Sequence, residues 1–97
     1  MVTDSQRCAR DLLAMQDPAE AITECQSMMR DIKLLLEIMR DASRSGDIAG
    51  NPLDGMAYLQ QELQLWTNIL FYIRQYQKDA EDTAKKIILE LYYAAKD

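Results

Sequence analysis

The chain is predicted to be all-α on three grounds: it is poor in turn formers, it carries three separate helix-start motifs, and its apolar residues recur at spacings of three and four. Among 97 residues there are only three Gly and two Pro, against 48% apolar residues. Leu, Ala, Gln, Met, Glu and Lys dominate, a mixture that favours helix and leaves few places for a strand to turn. The length fits one small helical domain spanning residues 1–97.

The first helix is expected over about 4–16. Thr3 and Gln6 form an S/T-x-x-E/Q capping pattern, in which the hydroxyl accepts from an early amide and the glutamine reaches back to the cap. Cys8, Leu12 and Met15 supply its apolar stripe. Asp17-Pro18-Ala19-Glu20 repeats the logic for a second helix over about 18–45, with Asp17 as N-cap and Pro18 where its missing N–H costs nothing. Ile22, Cys25, Met29, Ile32, Leu36 and Met39 form its seam, flanked by Ala21, Met28, Leu35 and Ala42. After the turn chemistry of Ser45 to Gly50, Asn51-Pro52-Leu53-Asp54 opens a third helix over about 52–95.

Met56, Leu59, Leu63, Trp66, Leu70, Ile73, Gln77, Ala80, Ala84, Ile87, Leu91 and Ala94 keep the heptad rhythm along that helix without a slip. At 1.5 Å per residue it reaches about 60 Å, whereas the second helix reaches only about 40 Å. A chain reversal near Ile48 places Met39 beside Leu59, Ile32 beside Trp66 and Cys25 beside Ile73. The first helix is then expected beside Ala84 to Leu91, and the polar stretch Gln77 to Asp82 is a candidate bend or break.

One seam suffices for a hairpin, yet Tyr58, Leu65, Ile69, Tyr72 and Tyr76 form a second stripe rotated by about 110° from the first. Phe71 widens it, and Leu34 and Ile38 lie off the main seam of the second helix. These eight residues are the candidate protein-interaction surface, because soluble monomers seldom expose large apolar patches. Two architectures remain open: an antiparallel hairpin whose second stripe meets another copy or another helical protein, and a three-helix bundle whose first helix covers it. Both pack in coiled-coil fashion.

Composition also argues against several function classes. Zero histidines remove the commonest general base and metal ligand, and Cys8 and Cys25 have no CxxC spacing, so they read as small reduced apolar side chains. Glu62, Asp79, Glu81 and Asp82 fall at solvent-facing spacings with no Gly-rich loop, so no catalytic, cofactor or metal site is expected. A formal charge of −5 with interleaved lysines argues against nucleic acid. No apolar run is long enough for a membrane span or a cleaved signal, which suits a cytoplasmic protein or one secreted without a cleaved signal.

Asn51-Pro52, Met56-Ala57, Leu59-Gln60, Leu63 and Trp66 resemble the opening of the long second helix in type III secretion needle and inner-rod subunits. There an NP turn precedes L-A-x-L-Q-x-x-L-x-x-Y, with Met here in place of Leu and Trp in place of Tyr. Lys78-Asp79 and Ile87-Ile88 are similar to the K-D and I-I pairs toward that family's carboxyl end. The resemblance covers about the second half of the chain and implies a small acidic hairpin that polymerises through its helices. The functional expectation is a non-enzymatic module that self-associates, a subunit of a secretion-related assembly among the options. The alternative is a small cytosolic regulator or chaperone that clamps an amphipathic helix of a client; six methionines suit that adaptable role.

Overall fold

In the computed structural model the described residues are 3–46 and 52–96, with the side chains of Pro52 and Leu53 excepted. They form α1 (Asp4–Met15), α2 (Pro18–Ser45) and α3 (Pro52–Lys96), an all-α arrangement of packed helices. Both predicted N-caps that fall on described residues are formed. Thr3 N–H donates to Gln6 Oε1 at 3.0 Å while Gln6 N–H donates to Thr3 Oγ1 at 3.2 Å, completing the capping box. Asp17 accepts from the Glu20 amide at 2.8 Å, and Pro18 opens α2. The expected turn residues Asp47 to Gly50, and Asn51 as N-cap of α3, lie outside the described residues.

Gly46 closes α2 with φ of +73°, the left-handed conformation a helix C-cap requires and a side chain with Cβ resists. Its amide donates back to the Ala42 and Ser43 carbonyls, two of the acceptors that the helix end would leave open.

Helix α2 packs along α3, with Cys25, Ile32 and Leu36 buried on the α2 side and Leu70 and Ile73 on the α3 side. Near the end where α2 leads into α3, the Met39 terminal methyl lies close to Gly55, as an antiparallel hairpin requires. Helix α1 takes a place that the sequence reading assigned differently. It packs on α3 between Glu62 and Tyr76 and scarcely touches α2, instead of lying beside Ala84 to Leu91.

The physical reason is local. Gln16 and Asp17 are both extended, which lets α1 turn away from the line of α2, and the small residues Ser5 and Ala9 admit a close approach to the bundle. The buried face of α1 therefore runs through Ser5 and Ala9, flanked by Cys8, Leu12 and Leu13. Met15, expected on that face, is exposed.

Helix α3 continues as one helix through Gln77 to Asp82, so the candidate break is absent. Gln77 is its last half-buried residue, and every residue from Lys78 to Lys96 is exposed. Nineteen residues at 1.5 Å each give an arm about 28 Å long that neither α1 nor α2 covers. The molecule accordingly measures 75 × 27 × 18 Å with a radius of gyration of 20.1 Å. A compact chain of this length would have a radius near 13 Å.

Candidate functional site

The second stripe of α3 is divided by α1. Ile69 is 1% exposed and belongs to the same core cluster as Ala9, Ala21, Cys25, Leu70 and Ile73. Leu65 and Tyr72 pack against that cluster and are half-buried. These three residues, expected on an interaction surface, are therefore engaged within the chain, and the middle of the molecule is a three-helix bundle. Desolvation explains the outcome: Ile69 and Tyr72 present the nearest uncovered apolar surface to an α1 whose own small face fits closely.

The other expected surface residues remain open. Leu34, Ile38, Tyr58, Phe71 and Tyr76 are all exposed, and Met28 and Leu35 join Leu34 and Ile38 on α2. Tyr76 borders α1, in a shallow depression shared with Gln6, Arg10 and Leu13. Phe71, 64% exposed, makes a T-shaped contact with Tyr72, with ring centroids 5.9 Å apart.

Among the described residues, the densest run of exposed large apolar side chains lies elsewhere, on the arm. Ile87, Ile88, Leu89, Leu91, Tyr92 and Tyr93 are each more than half exposed, and Ile88 and Leu91 reach 64% and 65%. Some local cover is present: Tyr92 and Tyr93 meet edge to face at 5.6 Å, and the Lys96 ammonium sits 5.4 Å over the Tyr92 ring. On a helical wheel, Ile87, Leu91, Ile88 and Tyr92 occupy one broad side while Leu89 and Tyr93 occupy another. A helix apolar in most directions is one built to be surrounded. At the arm's base the small residues Ala80, Thr83 and Ala84, between Tyr76 and Ile87, leave a depression of about 420 Å³. The sequence signal for this surface was the run Ile87-Ile88-Leu89-Glu90-Leu91-Tyr92-Tyr93-Ala94-Ala95, whose apolar residues fit no single stripe.

Polar groups on the described surface are dispersed. Asp79 accepts from Gln75 Nε2 at 3.0 Å, Glu62 borders a depression with Cys8, Asp11 and Leu12, and Asp4 pairs with Arg7. Among the described residues, no three His, Cys, Asp or Glu side chains converge to hold a metal ion, and no helix is long and apolar enough to cross a membrane. Cys25 is buried and Cys8 half-buried, both as free thiols. Burial pushes the Cys25 thiol above its ordinary value, and the neighbouring Glu24 carboxylate adds to the effect.

The fold and surface define a small helical bundle with a projecting apolar helical arm. Comparison with protein-family models, with curated proteins and with solved structures finds no match to this chain.

Proposed function

We propose that this chain is a non-enzymatic helical protein–protein interaction module that self-associates, with the arm of α3 as its principal binding element. The observation that carries this reading is the uncovered surface of residues 78–96. The chain exposes 7440 Å², whereas a compact monomer of 11.2 kDa exposes about 5,700 Å². The surplus is of the order of the surface that a standard-size protein interface buries in total, about 1,600 Å². Much of it is apolar, and water is a poor solvent for it. Phe71 and the pair Leu34 and Ile38 extend the exposed apolar surface beyond the arm.

Hydrogen exchange tests the reading directly. Arm amides of a chain that associates should exchange fast at low protein concentration and slowly at high concentration, while bundle amides around Ile69 and Ile73 stay protected throughout. Arm exchange that is fast at every concentration, and slows only on adding a separate client protein, would replace self-association with the client-clamping alternative.

A further inference from the structure

Resting on the self-association just proposed, we infer that two copies pair arm to arm in antiparallel sense about a two-fold axis near Leu89, Ala84 of one chain facing the partner's Ala94 and Ile87 facing the partner's Leu91.

Three observations point to a second copy in this orientation. The first is charge. Lys78, Lys85, Lys86 and Lys96 balance Asp79, Glu81, Asp82 and Glu90, so the arm is neutral, and of the formal charge of −5 residues 1–77 carry −4 and Asp97 the remaining −1. Neutral arms approach each other without repulsion, whereas acidic bodies do not. Antiparallel pairing sets the two bodies at opposite ends, and parallel pairing would lay them side by side.

The second is reach. Cover by α1 and α2 ends at Gln77. In the stated register residues 82–96 of the two arms lie level with one another, clear of the covered part of α3. Sliding the pair a further heptad together would drive each arm into the other chain's bundle.

The third is shape. Ala84, Ile87, Leu91 and Ala94 alternate by three and four on one face of the arm. The register brings large residues against large at the centre and small against small at the flanks. Ile88, 64% exposed, then falls beside its own symmetry mate next to the axis. An isologous contact of this kind closes on itself, since the same patch serves both chains.

The test uses two single variants, Ala84→Cys and Ala94→Cys, both at exposed small positions where a thiol leaves the helix intact, as circular dichroism would verify. A disulfide needs Cα atoms within about 7 Å. In the antiparallel pair the cysteines of either variant alone lie about 15 Å apart along the axis, ten residues at 1.5 Å. Mixed under mild oxidation, the two variants should therefore yield a heterologous 84–94 link several-fold above any link formed by either alone. Peptide mapping separates this product from links through Cys8 or Cys25. Links within each single variant would overturn the orientation and leave self-association standing. Association in sedimentation without any arm link would move the interface off the arm. A chain that stays monomeric at all concentrations would overturn both this pairing and the function on which it rests.

Discussion

Ile69 and Phe71 lie two residues apart on α3, and their alanine variants should part company. Ile69 is 1% exposed and enclosed by α1 as well as by the α2 seam, whereas Phe71 is 64% exposed. Truncating Ile69 loses transfer free energy of about 0.8 kcal/mol per buried carbon group and leaves a cavity, together roughly 3 kcal/mol within the usual range of 2–5. A domain of this length has on the order of 5–15 kcal/mol in total. The melting temperature of Ile69→Ala should therefore fall by on the order of 12–24 °C. Phe71→Ala removes a side chain that is mostly in water, together with its T-shaped contact with Tyr72, so its cost should stay below about 1 kcal/mol. Thermal and urea unfolding by circular dichroism, at protein concentrations low enough to keep the chain monomeric, measures both. Equal losses, or a larger loss for Phe71→Ala, would refute the placement of α1 on the Leu65, Ile69 and Tyr72 face.

The turn at Gly46 and the thiol of Cys25 give two further tests. Gly46→Ala should cost about 1–2 kcal/mol, because φ of +73° forces a Cβ into the left-handed region, and urea titration would show a midpoint shift without a change in slope. The Cys25 thiol is held above its ordinary value of 9.0 in the folded chain. As pH rises past that value the unfolded chain releases a proton that the native chain keeps, so this contribution to stability is whole below it and declines above it. Stability measured between about pH 8 and 10 should thus fall more steeply for the native sequence than for Cys25→Ala, and Ellman's reagent should titrate Cys8 well before Cys25. Equal slopes, or faster reaction at Cys25, would contradict its place in the core.

How far the fold was legible in the sequence depended on how local its determinants are. Thr3 with Gln6, and Asp17 with Pro18, fix helix starts by bonds within four residues, so both starts follow from the sequence alone. The α2–α3 seam through Cys25, Ile32, Leu70 and Ile73 was legible because a sustained heptad leaves one face to bury. The position of α1 was not, since it depends on two extended residues, Gln16 and Asp17, and on small side chains at Ser5 and Ala9 that carry little periodic signal. That single difference reassigned the surfaces: Leu65, Ile69 and Tyr72 moved inside, Leu34, Ile38, Tyr58, Phe71 and Tyr76 stayed outside, and Ala84 to Leu91 lost the cover expected for it. Gln77 to Asp82 reads as a weak point by polarity, yet a solvated stretch of helix needs no apolar face, and α3 continues through it without a break.

The central claim is that the arm of α3 carries association and the bundle carries folding. Sedimentation equilibrium over a wide concentration range, on the native sequence and on the double variant Ile88→Ser/Leu91→Ser, tests it most directly. Each side chain is worth roughly 1.5–3 kcal/mol if buried, so losing both should weaken association by two or more orders of magnitude. The account predicts that the native chain passes from monomer to a larger species as concentration rises, while the variant remains monomeric with unchanged helical circular dichroism and an unchanged monomer melting temperature. A native chain that remains monomeric throughout, or a double variant that associates as strongly as the native chain, would contradict it.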